Sequence, residues 1–264
     1  MFVLFILAYF PTMLWMQDRW FAKDSYYSHG VLIPFITFLL IWQKRNEMKQ
    51  IKLEPSAWGM GLFVIGIIIH LLSLLLRVYF TSGFSMIIVL AGFVLCVYGK
   101  KLLKEILFPV IFLVFMVPLP VLTVINLSFQ LKLLSAKMAA VMLNVINIPA
   151  VQQGSYIHMT HASVVVEDAC SGLRSLIALM ALGALFAYWM RSGKLKKVVL
   201  FLSSIPVALL TNMFRIMALA IISEFWGAKY VTGFVDGFFG FLVFVTAFLM
   251  LTRIEKVLQQ GINE

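Results

Sequence analysis

The feature that most constrains this chain is the recurrence of uncharged apolar runs of about the length that crosses a bilayer. A helix needs roughly 17 to 25 such residues to traverse ~30 Å of hydrocarbon. Spanning helices are expected near residues 1–16, 30–43, 57–76, 83–99, 105–122, 171–190, 198–222 and 237–253. Inside hydrocarbon, backbone polar groups must be satisfied within the spanning structure itself. The expected fold is therefore all-α, a polytopic transmembrane helical bundle of about eight spanning helices in a single domain over residues 1–264. A content of 62% hydrophobic and 12% charged residues excludes an ordinary soluble domain. The first run, "MFVLFILAYFPTMLWM", has neither a basic start nor a small-residue cleavage site, and is expected to be a retained helix rather than a signal peptide.

A net charge of +10 would suggest a nucleic-acid partner for a soluble protein, but here the basic residues cluster between apolar runs. With a cytoplasmic amino terminus, the inside segments hold Lys44, Arg45, Lys49, Lys52, Lys100, Lys101, Lys104, Arg191, Lys194, Lys196, Lys197, Arg253 and Lys256. That is thirteen of the 21 Lys and Arg residues. The other eight are mostly scattered singly. This is the positive-inside pattern of a multi-pass protein in the cytoplasmic membrane, with membrane lipid as a partner and no nucleic acid.

Two stretches break the apolar rhythm. In residues 124–148, Gln130, Lys132, Ser135 and Lys137 interrupt a helical pattern, so an amphipathic helix at the outer interface is expected. A crossing there would place the 191–197 basic cluster outside. Residues 149–169 alternate polar with β-branched or aromatic positions around Gly154, the pattern of a short extracytoplasmic hairpin. That hairpin leads into "VVVEDACSGLRSL" at 164–176.

Reactive groups from three successive helices reach the same outer level. Cys170 begins the sixth expected helix, with Arg174 four residues on and therefore one turn deeper on the same side. A nearby cation and a helix amino terminus are both expected to lower the thiol pKa, while Glu167 and Asp168 oppose this unless they face away. Asn212 and Arg215, three residues apart, share a face in the outer half of the seventh helix. An arginine at membrane depth costs at least ~2.5 to 3.5 kcal/mol, so Arg215 should face the interior or a wet cavity and hold a partner. Asp236 opens the last helix in "GFVDGFFGF", where Gly237 and Gly240 permit close approach. Cys170 is expected to be a free thiol, since Cys96 lies inside an apolar run and neither cysteine has metal-type spacing. No metal or cofactor is expected.

"ACSGLRSL" at 169–176, "TNMFRI" at 211–216, "DSYYSHGVLIP" at 24–34 and "FLVFMVPLP" at 112–120 resemble the exosortase and archaeosortase family, in the family's order and over most of the chain. The resemblance implies a membrane cysteine peptidase or transpeptidase acting on exported proteins whose carboxy-terminal sorting tail holds a recognition motif, a spanning helix and a basic end. It implies Cys170 as nucleophile and Arg215 as the group that stabilises the oxyanion, with Asn212 sharing that task. Ser171, Arg174, Glu167 and His29 would support the site or contact substrate. At the third position the family has a basic residue where this chain has Asp236. A carboxylate there is open to two roles, accepting the thiol proton or orienting Arg215, and His158 and His161 upstream of Cys170 are alternative bases. Read without the resemblance, Arg215 and Asp236 would also suit a transporter component, and the chain a noncatalytic scaffold for protein sorting or polysaccharide export.

Overall fold

The computed structural model describes residues 2–23, 25–167, 170–231 and 233–260. The chain forms two compact units, Met1–Pro120 and Val121–Glu264.

In the first unit, α1 (Phe2–Phe21) is followed by a 3-10 turn (Ser28–Val31), α2 (Leu32–Gln43), α3 (Arg45–Gln50), α4 (Ala57–Leu75), α5 (Tyr79–Val97), α6 (Lys100–Glu105) and α7 (Leu107–Phe112), which continues as a 3-10 turn over Leu113–Met116. The α4–α5 hairpin is held by small residues: Gly59 faces the backbone of Leu95 and Cys96, and Gly92 that of Leu62 and Phe63. Such close approach substitutes packing for the hydrophobic drive that lipid removes. The run at 105–122 is tied at one end to the close of α2 and at the other to α1 and the stretch that leads into α2. The Lys44 ammonium pairs with Glu105 at one end. At the other, Trp20 Nε1 donates to the Met116 carbonyl at 2.9 Å and the Leu119 amide donates to the Tyr27 hydroxyl at 3.2 Å.

A polar chain is buried among these apolar helices. Thr12 Oγ1 and Ser82 Oγ lie 2.6 Å apart, Ser82 Oγ is 2.8 Å from His70 Nδ1, and His70 Nε2 donates to the Ala8 carbonyl at 3.1 Å. Tyr9 covers the imidazole with ring centroids 4.0 Å apart and meets Ser85 at 3.0 Å. This network ties α1 to α4 and α5. His70→Ala removes two interhelical bonds and leaves a ring-sized void. It is expected to lower stability by about 2 kcal/mol, read as a lower unfolding midpoint of the protein in detergent micelles.

The second unit contains α8 (Val121–Val145), three strands, α9 (Leu173–Trp189), α10 (Lys194–Trp226) and α11 (Gly233–Gln260). The hairpin expected at 149–169 is a three-stranded antiparallel sheet in the order β1 (Ala150–Gln153), β2 (Tyr156–Met159), β3 (Ser163–Val165). Gly154, at φ +62°, makes the tight β1–β2 turn. The inward sheet face, with Ile157 and Val166 fully buried, joins a core formed with Ala139 and Leu143 of α8 and Ile216 and Ala220 of α10.

Among the described residues five helices are long and apolar enough to cross a membrane: α4, α5, α8, α10 and α11. The chain is thus a multi-pass helical membrane protein. Of the eight expected crossings, 57–76, 83–99, 198–222 and 237–253 meet that standard. The apolar helices at Ser28–Gln43, Leu107–Met116 and Leu173–Trp189 are shorter. α1 has the length, but Gln17, Asp18 and Arg19 dilute its end. The interfacial helix expected over 124–148 is a helix that is also long and apolar enough to cross. α8 has 25 residues, qualifies as a span, and buries Val124, Ser128, Leu131, Ser135, Ala139 and Leu143 along one stripe. A polar residue on that stripe marks a buried partner, whereas Lys137 is exposed.

Candidate active site

Helix length sets the depth of the site. From Lys197 to Arg215 along α10 is eighteen residues, about 27 Å at 1.5 Å per residue, close to the ~30 Å of hydrocarbon. From Asp236 to Arg253 along α11 is seventeen residues, about 26 Å. Both helices therefore separate Arg215 and Asp236 from the basic clusters by about one hydrocarbon thickness. α10 runs eleven residues further, to Trp226.

At that level Arg215 and Asp236 form a two-pronged pair. Nε donates to Oδ1 at 3.1 Å and Nη2 to Oδ2 at 2.6 Å. The guanidinium lies across Gly240, where a Cβ would stand 3.7 Å from its carbon. Cys170 Sγ points at the same carboxylate oxygen, Asp236 Oδ1, at 3.6 Å. One oxygen thus receives both the thiol and the guanidinium.

The loop that carries Cys170 is shaped by its neighbours. Gly172 adopts φ +82°, a left-handed conformation that glycine takes without strain, and α9 begins only at Leu173. A Cβ on Gly172 would fall 2.9 Å from the Asn212 side chain. Its absence lets Asn212 Nδ2 donate to the Cys170 carbonyl at 2.9 Å and to Ser135 Oγ at 3.2 Å. Buried Ser171 turns its hydroxyl toward the Leu173 amide at 3.4 Å, and Cys170 N donates to the Glu167 carbonyl at 3.0 Å.

Burial pushes the Cys170 thiol up to about 11. The Arg215 charge acts against the rise, and the charge and hydrogen bond of Asp236, with the charge of Glu167, add to it. The expectation of a lowered thiol pKa is therefore corrected. Cys170 precedes the helix, so the four-residue relation to Arg174 does not hold. Arg174 is exposed on α9, and the cation that acts on the sulfur is Arg215.

A family model described as transmembrane exosortase (Exosortase_EpsH) matches residues 15–253 of the 264. The chain belongs to the transmembrane exosortase family. No curated protein and no solved structure matches it.

In this exosortase-family chain the two histidines upstream of Cys170 lie apart from the Cys170, Arg215 and Asp236 cluster. His158 sits on the outward face of the sheet, stacked on Tyr156 at 5.9 Å and bonded to Ser163 at 2.8 Å, opposite the face that packs with Cys170. His161 lies in the β2–β3 turn and is exposed. Neither histidine replaces Asp236 beside the sulfur. Glu167 is exposed, and Asp168 lies outside the described residues. His29 belongs to the first unit, where its ring stacks on Tyr27 at 6.0 Å.

Two residues escaped the sequence reading. Ser135 is the second acceptor for Asn212. Glu224, near the far end of α10, accepts the amides of His161 and Ala162 at 3.0 Å and so holds the β2–β3 turn. A lone carboxylate in "AIISEFW" was the available signal. Beside Arg215, a cavity of about 320 Å³ between α10 and α11 is lined by Thr211, Phe214, Ala218, Phe239 and Leu242 among others.

Proposed function

We propose that the chain is a membrane cysteine peptidase or transpeptidase that removes the carboxy-terminal sorting tail of exported proteins through a thioester at Cys170. The observation that carries this reading is the sharing of Asp236 Oδ1 by the Cys170 thiol and the Arg215 guanidinium. A buried thiol held near 11 is protonated at rest, so sulfur needs a proton acceptor as it attacks. Asp236 is placed to be that acceptor.

The charges then balance in one step. As sulfur bonds to the substrate carbonyl carbon, the thiol proton passes to Asp236 and the carboxylate becomes neutral. The Arg215 charge, no longer cancelled, faces the oxyanion that forms at the same moment. Collapse of the tetrahedral intermediate expels the tail as an amine, which takes its proton from Asp236 and leaves the acyl group on Cys170. Attack on the thioester by an amine or by water gives its proton to Asp236, which passes it to the departing sulfur, and the resting thiol is restored. Asn212 acts by positioning, since its amide holds the Cys170 backbone. The basic ends of α10 and α11 support a cytoplasmic location for those ends, and with it a site at the extracytoplasmic face of the inner membrane.

The test is to trap the acyl-enzyme. A hydroxylamine-sensitive adduct on Cys170, carrying the carboxy-terminal residues of exported proteins that have lost their tails, is expected in mass spectra of the protein purified from its host. Tail removal without any such adduct on rapid quenching would count against the thioester.

A further inference from the structure

The open edge of β3 is the feature that the proposed chemistry leaves unused. Met159 N donates to the Ala162 carbonyl at 2.8 Å and Val166 N to the Ser155 carbonyl at 2.9 Å, and Val164 pairs with Ile157. The even-numbered residues therefore carry the ladder to β2. Alternation turns the amides and carbonyls of Ser163 and Val165 to the opposite side. No described residue takes up the Val165 amide or carbonyl, and Ser163 and Val165 are exposed. An edge strand with unpaired groups is a template for another extended chain.

The direction of β3 selects the occupant. Its turn is held at Glu224 and the Cys170 carbonyl at Asn212, twelve residues nearer the basic end of α10 and so about 18 Å along it. β3 thus descends from beyond the membrane boundary to the cysteine, which lies five positions after Val165. An exported protein with an anchoring tail runs the same way, amino to carboxyl, from outside into the bilayer.

Building on the proposed tail-removing activity, we propose that the extended segment of the exported protein just before its scissile bond pairs in parallel with the open edge of β3, through the backbone of Ser163 and Val165. Recognition there is by main-chain hydrogen bonds. It delivers the scissile carbonyl toward Cys170 while leaving the substrate's side chains largely free to vary.

The experiment uses a deletion strain complemented with variants of the full chain. Exported proteins whose tail removal is lost with Cys170→Ala serve as probes, and if none loses its tail removal, the peptidase reading itself fails. Val165→Pro deletes the outward amide and spares the β2 ladder, and an edge strand accommodates proline. It is expected to slow tail removal of the probes about tenfold, the scale of one backbone hydrogen bond lost with its partner left unpaired. Gln152→Pro makes the same change at the far edge, on β1, and should leave the rate within about twofold. Equal rates for Val165→Pro and the parent chain would overturn the pairing.

A second measurement decides the matter if Val165→Pro does not accumulate. Benzoylphenylalanine at 163 or 165 in the Cys170→Ala background is expected to cross-link to probe residues preceding the cleavage point. The site reached from 163 should lie nearer the probe's amino terminus than that from 165. The reverse order, or adducts only elsewhere on the probes, would overturn parallel pairing.

Discussion

Cys170→Ala is expected to abolish tail removal, with a loss of at least about a thousandfold, because covalent catalysis has no substitute nucleophile at that place. The only other cysteine, Cys96, lies in α5 of the first unit. Cys170→Ser should be nearly as inactive. Its hydroxyl is a weaker acid than the thiol, and a carboxylate already paired with Arg215 is a weak base for it. The measurement is the fraction of exported proteins that keep their tails in the complemented deletion strain, scored by mass. Full processing by Cys170→Ala would leave a transporter or scaffold as the better account.

Asp236→Asn is expected to move two readouts in opposite directions. Tail removal should fall by about 10² to 10³, the range for loss of a general acid–base group. Alkylation of Cys170 by iodoacetamide should instead accelerate, by roughly three- to tenfold at pH 8. The sign follows from the causes of the thiol shift. The Asp236 charge and hydrogen bond hold the thiol up, so removing them lowers its pKa and raises the thiolate fraction. Arg215→Ala should slow alkylation, because the guanidinium is what pulls the thiol down. In the parent chain, with the thiol near 11, alkylation should rise about tenfold per pH unit from 7 to 10. Following Cys170 by peptide mass separates it from Cys96. If Asp236→Asn lowered both rates together, Asp236 would be a structural partner of Arg215 rather than the proton acceptor.

The level at which Cys170, Arg215 and Asp236 meet was legible in the sequence, because a helix is a ruler and the basic clusters mark its other end. That Arg215 needs a partner was legible too, from the cost of an arginine at that depth. Which group stands beside the sulfur as its base was not, since Asp236 and the two histidines were all open. The choice falls to Asp236 because strand alternation sends His158 to the outward face, and alternation is fixed only once the β2–β3 register is known. The third strand was hidden because Thr160 and His161 carry no turn signature as strong as Gly154. The thiol was misjudged because Gly172, at positive φ, ends the helix short of it. Among the polar residues that break the apolar run of α8, Ser135 serves Asn212 as an acceptor, a pairing that no spacing in the sequence announced.

One rod carries most of this machinery. α10 grips the Cys170 loop through Asn212, holds Arg215 one turn further on, and clasps the β2–β3 turn through Glu224. A helix answers a thicker or thinner bilayer by tilting, and groups fixed to one helix are expected to swing with it as one body. Their mutual spacing is thereby insulated from the lipid, and what changes with bilayer thickness is the height at which an incoming tail meets them.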